Sequence, residues 1–439
     1  MSTTPSAKFA TPEAAAVVPR TMRAVQLSGT GFESLAVREV PVPEPNDDQI
    51  LCRVDAFTVC TSILKLISQG SDHTFLNGWD PARFPITIGD EGAVTVATVG
   101  RNLAGKYSVG EKCALQPAVD HPPINHRERY RDNGAGMKKT AVGYTLGGTF
   151  AQYLLIQEEV LAAGCLVRLP TQDLGYYEIS MSEPLSCVVS AQDHHVHLRR
   201  DPTTHERIPQ KGILPGGVTA VFGTGAMGRL HIELALSYRP RAVVVFDVLP
   251  QRLEWVRAHI GPRAERLGIR LFCEQSDPAT LQDILRERTG QPYADDVIDA
   301  TGVPKVQEIA LNTVTGPGSV FNSFGGLAVG HSSIPVDMRK VHYDESIITG
   351  SSGGTPHDTR RTLALIAEGH FDVGSQIRVV GDLDDAIHFL ELYRDKKVDG
   401  KALVYPHAVI EGIIDVPGSW SRDQEHALLD RCLAGGSVR

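Results

Sequence analysis

Glycines at 223, 225 and 228 lie between an apolar run, Val218–Phe222, and a helical pattern that begins Ala226-Met227-Gly228. Asp247 ends a further apolar run, nineteen residues past Gly228. Residues in this order can bind a dinucleotide. Gly223 allows a tight strand-to-helix turn, Gly225 lets the backbone approach a pyrophosphate, and Gly228 lets the helix pack closely on the sheet. The helix N-terminus, at Ala226 and Met227, then faces the phosphates. Asp247 is placed to accept hydrogen bonds from the adenosine ribose hydroxyls. Its charge opposes a 2′-phosphate, which favours NAD over NADP, although Arg252, five residues on, could accommodate one. Asp299-Ala-Thr301-Gly302 and Phe324-Gly325 end later apolar runs and are expected to add cofactor contacts.

A second set of residues offers metal chemistry. Thr58-Val-Cys60-Thr-Ser62, Ile88-Gly-Asp90-Glu91-Gly92 and Ser182-Glu183-Pro-Leu-Ser186 together carry one thiol and three carboxylates. An enzyme that takes hydride from a carbinol must also remove the hydroxyl proton, and a Lewis-acid metal eases this by lowering the alcohol's pKa. Such ligands are expected outside the cofactor domain. His194, His195 and His197 also suggest a metal box, but adjacent residues of a helix diverge, and a surface or interface position is expected instead.

These residues need two kinds of scaffold. Residues 1–20, rich in Ala, Thr, Pro and Ser, read as a disordered leader. Short strands between Pro and Gly clusters follow near 22–27, 49–54, 92–99 and 111–115, the texture of a mostly β domain. From about 182, strands near 218–222, 242–247, 296–299 and 319–324 alternate with helical stretches, which calls for a parallel sheet with crossover helices. Thr355 and Asp358 are helix-start residues, and a last strand is expected near 400–405.

Length and charge narrow the function classes. A chain of 439 residues exceeds one ordinary core and implies two or three domains. Its net charge of −9 lacks the basic excess of a nucleic-acid binder. No apolar run reaches the eighteen or so residues that span a bilayer. The seven cysteines are scattered without CxxC pairs, so no disulfide framework is indicated and a soluble, cytoplasmic protein acting on a small molecule is expected.

Over nearly all of residues 22–406 the chain resembles the zinc-dependent medium-chain dehydrogenase/reductase superfamily. The Glu183-Pro-Leu-Ser186 fragment is similar to the sorbitol dehydrogenase branch. Asn102-Leu-Ala-Gly-Lys-Tyr107, Leu115-Gln-Pro-Ala118, Ser351-Ser-Gly-Gly-Thr355 and Val59-Cys60-Thr-Ser62 are similar to L-sorbose 1-phosphate reductase-like proteins. The resemblance implies an α/β fold in two parts. A GroES-like, mostly β catalytic domain covers 21–182 and is completed by 355–439. A Rossmann domain, a doubly wound parallel sheet that binds NAD, covers 183–354.

The resemblance also implies a catalytic zinc held by Cys60, Asp90, Glu91 and Glu183, with Ser62 relaying the substrate proton. Glu91 and Lys65 take catalytic roles, the latter where relatives often place a proton-relay side chain near the nicotinamide ribose. Asp90 departs from the family, which usually has His there, and a shorter anionic ligand alters affinity and geometry. Residues 116–144, where many relatives hold a structural zinc with four cysteines, contain no cysteine, so no structural zinc is expected. His121, His126, Arg127, Arg129, Arg131, Lys138 and Lys139 in that stretch are either a solvated surface or a contact for an anionic substrate group. The implied reaction interconverts a secondary alcohol and a ketone on a polyol, ketose or sugar phosphate, in a homodimer or homotetramer. A metal-free NAD(P)H-dependent reductase and an NAD-binding redox sensor without turnover are the alternatives.

Overall fold

Nine consecutive buried residues, Ile50–Thr58, form the central strand of the first of two units in this computed structural model. The structure describes residues 18–328 and 330–434. Ile50–Thr58 pairs antiparallel with Ala93–Val99 on one edge and with Tyr153–Ile156 on the other, and its last residues pair with Lys401–Val404. Ile50, Cys52 and Val54 feed one buried cluster and Leu51 another, so both faces are covered and no residue of this strand alternates toward water. The sheet continues outward through Lys112–Leu115 to Leu166–Arg168 on one side and Ile377–Gly381 to Ile414–Asp415 on the other. The unit comprises the residues up to Glu183 and those from Thr355 onward.

Most of the leader expected over 1–20 lies outside the described residues. Residues 18–20 correct that expectation. Val18 packs against the buried cluster that contains Met22 and Tyr153, and the Arg20 carbonyl accepts a hydrogen bond from Val42 N. The chain is therefore held to the fold before the first strand, Thr21–Leu27, begins.

Pro184–Gly354 forms the second unit. Its six strands are all parallel, in the order Arg270–Gln275, Ala242–Asp247, Val218–Phe222, Ala294–Asp299, Thr315–Ser323, Ile347–Gly350. Successive residues of one strand feed opposite cores, Val221 joining Val243, Val245 and Ile298, and Phe222 joining Val244, Phe246 and Val297. Two covered faces make the sheet doubly wound. Strand order reverses beside Val218–Phe222, the kind of switch point at which open α/β sheets bind ligands.

The surface or interface position expected for His195 and His197 is overturned. The helix Ser182–Asp193 ends before them, and Val196–Arg200 pairs antiparallel with Arg207–Lys211 in a hairpin. Both rings are buried and point to Asp296, with His195 Nδ1 at 2.6 Å and His197 Nε2 at 2.9 Å from Oδ1. Leu214 N donates to the other oxygen at 2.8 Å. Ligands of a tetrahedral zinc with bonds of about 2.1 Å stand roughly 3.4 Å apart. The shorter spacings mark a hydrogen-bonded ion cluster. His194 alone is exposed.

Candidate active site

The strand Ile50–Thr58 delivers Cys60 and Ser62 to the start of the helix Ile63–Gln69. Ile63, Leu66 and Ile67 are buried at i, i+3 and i+4, which turns Lys65 outward to an exposed position. Ser62 is the helix N-cap, yet its hydroxyl makes no capping bond. It reaches Cys60 Sγ at 3.1 Å and Asp90 Oδ2 at 2.9 Å. Ligand atoms of Cys60, Asp90 and Glu91 all lie within 4.8 Å of one another. Asp90 Oδ1 is buried and has no hydrogen-bond partner.

Glu91 is brought to the cluster with both oxygens engaged. The Thr58 hydroxyl donates to one and the Lys401 ammonium to the other. Lys401 also donates to Val59 O at 3.3 Å, so a cation in direct contact with the cluster arrives from a strand 310 residues further along the chain than Glu91. No local pattern in the sequence singles it out. Glu183 is buried near the start of its helix, and its charge reaches Cys60, but its carboxylate is not among the ligand atoms gathered within 4.8 Å.

Burial, followed by the charge of Glu91, lifts the Asp90 carboxyl to about 7. Burial, followed by Asp90 and Glu91, pushes the Cys60 thiol well above its ordinary value. Lys401 opposes both shifts. A divalent cation among these atoms reverses them, because coordination requires the deprotonated thiolate and carboxylate. The orphaned Asp90 oxygen and a sulfur–oxygen donor set fit zinc.

The glycine loop sits at the carboxyl edge of the parallel sheet. Gly223 has φ +86°, a left-handed conformation that glycine adopts without strain, and a Cβ on Gly228 would stand 1.9 Å from Gly223 O. At Gly225 the nearest atom to such a Cβ is Arg252 Nη1, 4.0 Å away, so the space above the helix start is open. Ala226 and Met227 begin the helix Ala226–Ser237. Asp247, at the end of the adjacent strand, accepts from Thr224 N and Thr224 Oγ1, both at 2.7 Å. Thr301 lies against Gly223, and Gly302 and Gly325 touch through their backbones. Phe324 N and Gly325 N both donate to Asp299 O. The loop, the neighbouring strand ends and the open space fit a dinucleotide.

In the stretch 116–144 the basic groups differ in their surroundings. Arg129 lies over the rings of Trp79 and Phe84, at 5.1 and 4.5 Å, while Arg127, Arg131, Lys138 and Lys139 are exposed. Glu159 anchors the stretch by accepting from Ile124 N at 2.6 Å and Asn125 N at 2.7 Å.

Residues 46–166 match the alcohol dehydrogenase GroES-like domain. The chain is 30% identical over 343 residues to L-sorbose 1-phosphate reductase of Klebsiella pneumoniae, covering 76% of this chain and 77% of that protein. The chain belongs to the zinc-dependent medium-chain dehydrogenase/reductase family. It falls in the polyol dehydrogenase branch of that family. Mannitol-1-phosphate 5-dehydrogenase of Aliivibrio fischeri is 29% identical over 395 residues, covering 88% of this chain and 86% of that one. Among solved structures, galactitol-1-phosphate dehydrogenase from Escherichia coli has a TM-score of 0.65 at 19% identity, over 88% of this chain and 100% of the other. That likeness establishes the shared fold.

Proposed function

We propose that this medium-chain dehydrogenase interconverts a secondary alcohol and a ketone on a polyol or sugar, with NAD as the cofactor. The observation that carries the reading is Ser62 Oγ at 2.9 Å from Asp90 Oδ2 and 3.1 Å from Cys60 Sγ, a hydroxyl set among candidate ligands. Cys60, Asp90 and Glu91 would hold zinc, with Glu183 as the further candidate ligand and Lys401 balancing the charge of Glu91. What the two bound groups supply is polarisation of the carbinol oxygen by the cation and acceptance of hydride by the nicotinamide. Ser62 would accept the substrate proton while releasing its own, with Lys65, exposed on the same helix, as the next candidate in the relay. Gly223, Gly225, Ala226, Met227 and Gly228 receive the pyrophosphate, Asp247 the adenosine ribose, and Thr301, Gly302, Phe324 and Gly325 line the neighbouring strand ends. Arg252 borders the phosphate space.

The substrate class includes sugar phosphates. Relatives named for 1-phosphates support this, as do Arg127, Arg131, Lys138 and Lys139, presented to solvent in the first unit. A cytoplasmic location belongs to the same proposal and is supported by seven uncrosslinked thiols. So does a homodimer or homotetramer, supported by the unpaired edge of strand Ile347–Gly350, where Ile348 is 45% exposed. Among the described residues no helix is long and apolar enough to cross a membrane.

A turnover screen tests the reading. Polyols, ketoses and their phosphates are offered with NAD(H) to zinc-replete and to chelated protein, and NADH absorbance is followed. At least one pair should turn over, and chelation should abolish it. No turnover on any substrate would overturn the enzyme reading, and full activity without metal would identify a metal-free reductase.

A further inference from the structure

The hydroxyl that Thr58 turns to Glu91 is itself held from behind. Ser180 is fully buried, and its Oγ stands 3.0 Å from Thr58 Oγ1. The same oxygen accepts from Thr58 N at 2.8 Å. A threonine side chain has three staggered positions about its first torsion, and a turn to either of the other two carries Oγ1 away from both Glu91 and Ser180. By gripping the nitrogen and the hydroxyl of one residue, Ser180 sets that torsion. Thr58 and Glu91 are buried as completely, so bulk water does not replace a lost bond.

Ser180 is anchored in turn from late in the chain. It is the last residue of the short helix Tyr176–Ser180. Glu425, in the helix Arg422–Ala434, accepts from the first two amides of that short helix, Tyr176 N at 2.8 Å and Tyr177 N at 3.0 Å. Arg422 pairs with Glu178 at 2.6 and 3.1 Å. The hydroxyl of Tyr405, which follows the strand Lys401–Val404, also donates to Glu425, at 2.8 Å. One buried carboxylate ties down both elements that carry the partners of Glu91: the helix behind Thr58 and the strand that delivers Lys401.

We infer that Ser180 is a positioning residue for the metal centre: its hydroxyl holds Thr58 on Glu91, which fixes the Glu91 carboxylate between Thr58 and Lys401 beside Cys60 and Asp90. The inference rests on the reading of Cys60, Asp90 and Glu91 as zinc ligands. Full-length protein stripped of metal is titrated with zinc against a chromophoric chelator, and with cobalt, whose visible absorption reports the geometry of its ligands. Ser180→Ala should weaken zinc binding about tenfold or more, the scale on which groups supporting a metal-binding side chain act, and should shift the cobalt bands. Thr58→Val keeps the amide bonded to Ser180 and replaces only the hydroxyl, and it should do the same. In the double variant zinc affinity should be that of Thr58→Val alone, because Ser180 acts through the Thr58 hydroxyl. Any loss of thermal midpoint from freeing the Thr58 amide should instead persist in both backgrounds, which separates packing from positioning.

Wild-type zinc affinity and cobalt bands in either single variant would overturn the inference, as would a full further loss of affinity when Ser180→Ala is added to Thr58→Val. So would a Ser180→Ala chain that does not fold, since that would assign the residue to the fold. Wild-type protein is titrated alongside, and a wild type that binds neither ion would overturn the zinc reading itself, a failure seen before any variant is compared.

Discussion

Asp247 carries the cofactor choice with much of its capacity already in use. Thr224 N and Oγ1 take one oxygen, and Leu249 N donates to the other at 2.9 Å. A carboxylate offers about four acceptor positions, so one remains for a ribose hydroxyl. A 2′-phosphate would meet a buried negative charge that the protein's own donors hold in place. Asp247→Ala should raise KM for NAD roughly tenfold, the loss expected of a charge-assisted hydrogen bond, and narrow the preference over NADP. Steady-state KM values for both cofactors check this, and an unchanged ratio would remove Asp247 from the ribose. Asp247 is legible in the sequence because it ends the apolar run that follows the glycine loop, and Asp90 because it lies between Gly89 and Gly92. Lys401 is not. Its role depends on which strand ends meet Cys60, Asp90 and Glu91.

At the scale of elements, the hairpin Val196–Arg200 with Arg207–Lys211 is tied down by titrating groups. Burial pulls the His197 pKa down, but the bond and charge of Asp296 prevail and raise it, with Asp295 and the Gly318 backbone adding to the rise. Burial works to raise Asp296, but the bonds from His195 and His197 hold it below its usual range. The His197 contribution is full below about pH 6.5 and lost as pH rises through its higher folded value. The Asp296 contribution is full above about pH 4 and lost as pH falls through its lowered one. Both operate between about pH 4 and 6.5. His197→Gln keeps a donor facing Asp296 but cannot titrate. At pH 6 it should be about 1 to 3 kcal/mol less stable, the cost of a charged hydrogen bond, and its urea midpoint should stay flat from pH 6.5 to 9 where the wild type declines. A variant that declines in parallel with the wild type would exclude His197 as the source. The motif His194-His195-Val-His197 misleads when read as a helix, because the strand that buries it is set by pairing with Arg207–Lys211 and by an aspartate a hundred residues on.

For the whole molecule, the parallel sheet ends at Ile347–Gly350, which is paired on one side only. An edge strand with an exposed Ile348 is a ready template for a second copy. Ile348→Asp should convert the proposed dimer to monomer, or a tetramer to a smaller assembly, in light-scattering mass measurements. An unchanged mass would move the interface elsewhere. The cofactor sheet and its glycine loop were legible because strand, turn, helix and acidic strand end are consecutive, so local sterics and periodicity specify them. The candidate ligands Cys60, Asp90, Glu91 and Glu183 could be named from motif resemblance, residue by residue. Tertiary structure alone decided their company: Glu91 locked by Lys401 and Thr58, Asp90 with one oxygen orphaned, and two histidines buried on Asp296. The physical reason is that a side chain's protonation and pairing follow from the groups facing it across the fold, and those groups come from strands and turns far apart in the chain.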